Sequence, residues 1–172
     1  MKRAAVVIFS LCLALGSFGC MGPTGPGMDS GSAGKLLTPS QRFTLKDLDG
    51  VPVRLDDVLS KHQAVLLDFW ATWCGFCVEE MPDLIELQRK NQARGFTVLA
   101  VNAGESSRQA ALFRDKMKLN FPIVLDEDMA VSQAYGLVGI PVSFLVNSEG
   151  KVLGEYHGFT KELTADVEKN LV

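Results

Sequence analysis

The sequence predicts an α/β fold: a central mixed sheet with helices on both faces and an N-terminal β-hairpin. Two observations indicate it. Short apolar runs alternate with stretches of helical periodicity through the middle of the chain, which is typical of parallel strands joined by helices. Near the end, the turn Asn147-Ser148-Glu149-Gly150 joins two further apolar runs, which adds antiparallel strands. The sequence shows no internal repeat and no second domain.

The first elements form a hairpin and lead to a buried strand. Apolar residues alternate on both sides of Asp49-Gly50, so this pair is predicted to be the turn between two short strands. Asp56 is predicted to cap a short helix. The apolar run Ala64 to Trp70 predicts a fully buried strand, and helical spacing over Val78 to Ala93 predicts a long helix after it.

The second half of the chain continues the alternation and closes with a helix. We expect strands over 96–102, 121–125, 142–146 and 151–156, and helices over 106–117, 128–135 and 161–171. In the helix over 106–117, Ala110, Leu112 and Phe113 are predicted to face inward.

The start of the chain has the pattern of a targeting segment. Lys2 and Arg3 precede an apolar stretch that is too short for a permanent membrane span, and Ser17-Phe18-Gly19 offers small residues for cleavage before Cys20. The pattern resembles a bacterial lipoprotein signal, which predicts a signal peptide over 1–19 and lipidation of Cys20. Because lipoprotein signals usually have Leu where Ser17 stands, cleavage to a secreted form remains open.

The rest of the chain divides into a tether and one domain. Residues 20–35 are rich in Gly, Pro and Ser and poor in apolar side chains, which predicts a flexible tether. Residues 36–172 have the length and apolar content of a single folded domain. The net charge of −3, with no basic block, argues against nucleic-acid binding.

Cys74 and Cys77 form a C-x-x-C pair where the buried strand gives way to the long helix. Free N–H groups and the helix dipole at that point favour a thiolate, most strongly on Cys74, and Cys77 is within reach of the first sulfur. A structural disulfide would close only a tiny loop, and a zinc site would need further ligands that the sequence does not offer. We therefore predict a redox-active dithiol, with no metal and no cofactor.

Several motifs in the same order resemble the thioredoxin superfamily, and more narrowly its TlpA/ResA-like group. They are Asp68-Phe69-Trp70-Ala71, Trp73-Cys74-Gly75-Phe76-Cys77, Asn102-Ala103-Gly104-Glu105-Ser106, Phe121 to Asp126 and Gly139-Ile140-Pro141. That group consists of bacterial extracytoplasmic thiol-disulfide oxidoreductases, often tethered to a membrane. The resemblance implies a thioredoxin-like fold from about residue 43 to the C-terminus. Phe76 departs from the pattern, which usually has Pro there.

The resemblance also implies roles around the disulfide. Pro141 would be a cis proline that lies against it, and the backbone of Ile140 would pair with a substrate strand. Trp73 would be a contact surface beside Cys74. Phe76 leaves the turn between the cysteines without the usual proline, so the sequence does not fix the reduction potential.

Two carboxylates are candidates for moving a proton to or from Cys77. Asp68 matches the buried acid of thioredoxins, but the position of its usual lysine partner corresponds to Ala100, so desolvation should raise the pKa of Asp68. Glu80 matches a glutamate that ResA-like proteins have three residues after the second cysteine. Each acid also has a simpler interpretation. Asp68 would then be a residue at the end of a strand that reaches solvent, and Glu80 would be a solvated acid in the first turn of the helix.

These residues suggest dithiol–disulfide exchange with protein substrates outside the cytoplasm, in which Cys74 attacks and Cys77 resolves. By resemblance, the substrate would be a protein such as apocytochrome c, and a membrane thiol-disulfide transporter would supply electrons. Two alternatives stay open. One is a peroxiredoxin-like peroxidase, although the expected Pro before its cysteine is missing; the other is a copper-binding assembly module that uses both thiolates and His157.

Overall fold

The computed structural model describes residues 33–171. The predicted signal peptide, the lipidation site Cys20 and nearly all of the predicted tether lie outside these residues. Within 33–171, no helix is long and apolar enough to cross a membrane.

Strands and helices alternate along the described chain in the predicted order. The strands are β1 Thr44–Asp47, β2 Pro52–Arg54, β3 Ala64–Trp70, β4 Phe96–Ala103, β5 Ile123–Asp126, β6 Val142–Asn147 and β7 Val152–Tyr156. The helices are α1 Leu55–Leu59, α2 Gly75–Asn91, α3 Ser107–Met117, α4 Ala130–Ala134 and α5 Lys161–Asn170. Short 3-10 turns lie at Pro39–Gln41 and Gln92–Arg94.

The strands form one mixed sheet in the order β2-β1-β5-β4-β3-β6-β7. Strands β3, β4 and β5 are parallel, and the other neighbouring pairs are antiparallel. Every residue of β3 and β4 is buried, because these strands have neighbours on both sides and helices above and below. The carboxyl ends of β3, β4 and β5 therefore meet at one edge of the sheet.

Alternation along β3 divides the apolar residues into two layers. Leu66 and Trp70 lie in the layer that contains Met81 of α2 and Leu163 of α5. The odd-numbered residues of β3 point to the opposite face of the sheet and lie in the other layer. There Phe69 packs against Tyr135 with ring centroids 5.0 Å apart. Helices thus cover both faces, which confirms the predicted fold class.

The structure corrects the predicted cap of the first short helix. Helix α1 follows β2 directly and has Arg54 at its N-cap, so Asp56 lies inside the first turn. The N–H of Leu55 donates to the carbonyl of Phe43 at 3.0 Å, and this hairpin contact fixes where the helix begins. The Asp56 carboxylate pairs instead with Arg42.

Two further differences concern helices α2 and α3. Helix α2 begins at Gly75 rather than Val78, so Cys77 lies in its first turn. In α3, Ala110 is buried as predicted, but Leu112 is 64% exposed and the prediction that it faces inward is wrong. Ala110 and Leu112 are about 200° apart around a helix, so a helix that covers the sheet with one residue turns the other to solvent.

Candidate active site

Cys74 and Cys77 are joined in a disulfide at the start of α2, with their Cα atoms 5.3 Å apart. Cys74 is the N-cap residue of the helix, and its Sγ accepts a hydrogen bond from the Cys77 N–H at 3.2 Å. Cys74 is 6% exposed, whereas Cys77 is completely buried. The structure thus contains the predicted pairing, and only Cys74 of the two cysteines retains any exposed surface.

The loop before β6 lies against the disulfide. The Ile140–Pro141 peptide bond is cis, as the resemblance implied. The carbonyl oxygen of Ile140 is 3.7 Å from the Sγ of Cys74. Antiparallel pairing of Phe69 with Val142 brings this loop to the end of β3 where the cysteines begin. Ile140 is half-buried and packs against both apolar layers.

Large apolar side chains surround the disulfide on the outside of the molecule. Trp73 is 70% exposed and Phe76 is 75% exposed, one on each side of Cys74 in the sequence. A cleft of about 370 Å³ borders Trp73, and no charged side chain lines it; its other walls come from Ala103, Met129, Ser132 and residues 137–140. We call Trp73, Phe76 and this cleft the apolar rim. Exposed apolar surface of this kind is typical of a site that binds another molecule.

A second cleft of about 350 Å³ lies along the same loop. Residues 135–142 form most of its lining, and Glu155 and His157 add charge on one side. The Nε2 atom of His157 is 3.5 Å from a carboxylate oxygen of Glu155. The loop that holds the cis proline therefore separates an apolar cleft from a more polar one.

Asp68 is fully buried in the layer that holds Cys77. It lies on the same face of β3 as Leu66 and Trp70, and helix α2 covers that face. One carboxylate oxygen accepts a hydrogen bond from the Ser143 hydroxyl at 3.0 Å, and the other has no hydrogen-bond partner within the described chain. Burial raises the pKa of Asp68 to about 7, and the Ser143 bond opposes that rise.

The neighbours of Asp68 in the sheet match the expectation from the sequence. Asp68 pairs with Ala100 on β4, so no lysine stands at that position. The simpler interpretation, a strand-end residue that reaches solvent, is wrong because Asp68 has no exposed surface.

Glu80 lies on α2 one turn after Cys77 and is buried, so it is not the solvated acid of the simpler interpretation. Burial is the main cause that raises the pKa of Glu80 to about 8, and the charge of Asp68 adds to the rise. A hydrogen bond from the backbone of Phe159 opposes it. Two buried carboxyl groups of raised pKa thus lie in the layer that contains Cys77, a pattern typical of proton transfer at active sites.

A third buried carboxylate, Glu105, belongs to this region; it stands in one of the motifs of the resemblance, but no local pattern indicates its partner. Its side chain accepts hydrogen bonds from the backbone N–H of Thr72 at 2.8 Å and from the Thr72 hydroxyl at 2.5 Å. The side-chain amide of Asn102 donates to it at 2.8 Å. Glu105 is 33 residues from Thr72 in sequence, and only the parallel pairing of β3 and β4 brings them together.

The arrangement does not favour the copper-binding alternative. Between residues 33 and 171, no group of three or more His, Cys, Asp or Glu side chains is placed to hold a metal ion. His157 is therefore not assembled with the two sulfurs into a metal site.

Comparison with known proteins agrees with the geometry. Residues 38–154 match the model of the AhpC/TSA family. The thiol-disulfide oxidoreductase ResA of Geobacillus thermodenitrificans is 41% identical over 130 residues, which cover 75% of this chain and 72% of the relative. ResA of Bacillus subtilis is 36% identical over 130 residues, which cover 76% and 72%.

A solved structure extends the likeness to three dimensions. The thioredoxin domain of a thiol-disulfide oxidoreductase from Bacteroides vulgatus superposes with a TM-score of 0.71 at 29% identity, and the match covers 81% of this chain and 98% of that domain. The chain belongs to the AhpC/TSA family of thioredoxin-like proteins, and within it to the ResA-like thiol-disulfide oxidoreductases.

Proposed function

We propose that this oxidoreductase works as a reductant of protein disulfides outside the cytoplasm. The observation that carries the proposal is the unequal burial of the two cysteines: Cys74 keeps a small exposed surface next to the exposed Trp73, and Cys77 is completely buried in the layer that also contains two carboxyl groups of raised pKa. The cysteine nearer the surface is suited to attack a large substrate, and the completely buried one to complete the reaction within the protein.

The reaction transfers two electrons from the reduced protein to its client. The Cys74 thiolate attacks one sulfur of the client disulfide, and the other client sulfur leaves as a thiolate and takes up a proton. Cys77 then loses its proton and attacks Cys74, which breaks the mixed disulfide and releases the second client thiol. The products are a reduced client and the Cys74–Cys77 disulfide, the form seen in the structure.

Asp68 and Glu80 are the proposed proton acceptors for Cys77. A carboxyl group with a pKa of about 7 or 8 is a far better match to a thiol than an ordinary carboxyl group, whose pKa is near 4. Asp68 lies on the face of β3 that α2 covers, and Glu80 lies one turn after Cys77 on α2, which supports this role.

Glu80→Gln should slow the resolving step about tenfold to a hundredfold, because Gln cannot take a proton and Asp68 alone remains. In the wild type, the rate of resolution should rise with pH up to about 8. The measurement is release of client thiol from a preformed mixed disulfide, followed across pH. Glu79→Gln, which changes an exposed carboxyl group on the same helix, is the control. Identical pH profiles for Glu80→Gln and the wild type would rule out the role of Glu80.

The apolar rim supports a polypeptide client. An uncharged cleft beside Cys74 suits an apolar segment next to a cysteine better than a small, charged thiol. The backbone of Ile140, beside Cys74, would pair with an extended client strand, and Trp73 would contact that strand. We propose apocytochrome c as one such client and a membrane thiol-disulfide transporter as the electron donor.

The direction of electron flow is tested by the reduction potential of the Cys74–Cys77 couple against glutathione. We expect a value near that of thioredoxin, about −270 mV. A value near −120 mV would identify an oxidant and contradict the proposed direction.

The proposed location is the bacterial cell envelope, with the chain anchored through lipidated Cys20 or released as a secreted protein. Fractionation of cells that express the full chain tests it. If Cys20 is lipidated, the wild type should enter the membrane fraction and Cys20→Ala should leave it. Retention of the wild type in the cytoplasm would contradict the location.

The two alternatives are tested by separate measurements. A peroxidase would consume hydrogen peroxide at the expense of the reduced Cys74–Cys77 pair, and we expect no consumption above that of a simple dithiol. A copper-binding module would retain copper after anaerobic purification, and we expect none.

A further inference from the structure

Glu105 binds the segment that leads into the reactive cysteine. It follows β4 by two residues, and its side chain is buried. One carboxylate oxygen accepts from the Thr72 backbone N–H and from the Asn102 amide, both at 2.8 Å. The other accepts from the Thr72 hydroxyl. Two of these three hydrogen bonds come from a single residue, located two positions before Cys74.

The same segment also makes a turn of its own. The N–H of Cys74 donates to the carbonyl of Ala71 at 3.2 Å, so residues 71–74 form a hydrogen-bonded turn in addition to the bonds between Thr72 and Glu105. Two bonds to Thr72 hold both its backbone and its side chain. The direction in which the chain leaves Thr72 therefore sets the positions of Trp73 and Cys74.

Asn102 connects this anchor to the sheet. It is the partner of Trp70 in the pairing of β3 with β4, and its side chain is completely buried. Because its amide donates to Glu105, the carboxylate is held between the end of β4 and the loop that follows β3. The loop is thus fixed to β3 and β4, whose residues are all buried.

We propose that Glu105 is a positioning residue for the exchange reaction: it holds Thr72 so that the Cys74 sulfur stays at the N-terminus of α2, where the Cys77 N–H donates to it. The reactivity of Cys74 depends on that place, since the N–H group and the helix dipole stabilise its thiolate. Glu105 acts through Thr72 and bonds to neither sulfur.

The charge and shape of a carboxylate explain why this position is Glu. Three donors converge on it: a backbone N–H, a hydroxyl and an amide. A carboxylate accepts from all three, whereas a glutamine accepts through one oxygen only, and its NH₂ group would force the Thr72 hydroxyl to accept instead of donate. Hydrogen bonds to a charged acceptor are also roughly twice as strong as those between neutral groups.

The test is alkylation of the reduced full-length protein by iodoacetamide, with the product at Cys74 identified by mass spectrometry. This readout depends on the exchange chemistry of Cys74 but not on any client, so it is independent of the proposed substrate and location. In Glu105→Gln we expect the alkylation rate at neutral pH to fall about tenfold, a change of about 1.4 kcal/mol. The pH profile of alkylation should move to higher pH.

Asp126→Asn is the matched control for loss of stability. Asp126 is also a buried carboxylate at the carboxyl edge of the sheet, and it accepts three hydrogen bonds, from the backbone N–H groups of Val131 and Ser132 and from the Ser132 hydroxyl. It braces α4 rather than the loop before Cys74. We expect Asp126→Asn to lower the melting temperature as much as Glu105→Gln does and to leave alkylation of Cys74 unchanged.

A second pair of variants keeps the test decisive if Glu105→Gln does not fold. Thr72→Val removes only the hydroxyl bond and should slow alkylation by a smaller factor, while Thr72→Ser should restore the wild-type rate. The proposal is overturned if Glu105→Gln and Thr72→Val lose stability but keep the wild-type alkylation profile. It is equally overturned if Asp126→Asn slows alkylation as much as Glu105→Gln.

Discussion

Cys74→Ser is expected to reduce disulfide exchange to the uncatalysed rate, whereas Cys77→Ser should react once and remain bound to its client. The reason lies in the different positions of the two sulfurs. Of the two cysteines, only Cys74 retains any exposed surface for a client to reach, and a serine hydroxyl does not replace a thiolate as the attacking group. Without Cys77, the mixed disulfide on Cys74 has no partner within the active site to break it.

The measurement combines a rate and a trapped product. Reduction of a protein disulfide is followed for the wild type and both variants, and the products are separated without reductant and identified by mass spectrometry. Cys77→Ser should accumulate an adduct that dithiothreitol releases, and the variant with both changes should form none. Adducts on Cys74→Ser instead of Cys77→Ser would show that the roles are reversed. A wild-type rate for Cys74→Ser would end the proposal.

The free energy of unfolding of the oxidised protein should fall as the pH rises from about 4 to about 8. Burial raises the pKa of Asp68 to about 7 and that of Glu80 to about 8 in the folded state. In the unfolded chain both groups titrate near 4. Between these values the unfolded state has released protons that the folded state still holds, so unfolding becomes easier as the pH increases. The loss is complete once the pH exceeds the folded-state values.

Replacing the acids with their amides should remove most of this dependence. For Asp68 alone, a rise of about three pKa units corresponds to roughly 4 kcal/mol. Asp68→Asn should therefore match the wild type near pH 4 and be the more stable protein near pH 8. The free energy of unfolding is measured by denaturant unfolding of the oxidised wild type and variant at a series of pH values. Glu79→Gln, an exposed change on α2, should leave the slope unaltered, and an unaltered slope in Asp68→Asn would contradict the buried-acid account.

The parts of the molecule that the sequence predicted well are those set by local pattern. The run from Ala64 to Trp70 contains only apolar residues apart from Asp68, so a buried strand was the natural expectation and the acid within it was conspicuous. The two cysteines and Pro141 belong to short motifs that resemble those of the thioredoxin superfamily, and the disulfide and the cis bond agree with what that resemblance implies. For these residues, the immediate sequence carries the structural information.

The errors concern features that depend on distant partners. Asp56 has the sequence of a cap, but the hairpin bond between Leu55 and Phe43 starts the helix earlier. Leu112 is apolar, yet the direction of α3 over the sheet turns it to solvent. Glu105 was not recognised as part of the site because its partner Thr72 becomes a neighbour only when β3 and β4 pair. Register and helix orientation are properties of the whole fold, and no local pattern contains them.

The separation of the reactive groups from the strands that support them has an evolutionary consequence. Strands β3 and β4 contribute the rigidity, while the surface that a client would touch comes from Trp73, Phe76 and the loop at 137–140. Substitutions in these exposed positions remove few buried contacts, so lineages can change partner preference there at little cost in thermal tolerance. The buried strands can stay constant while the set of proteins that the exposed surface binds changes.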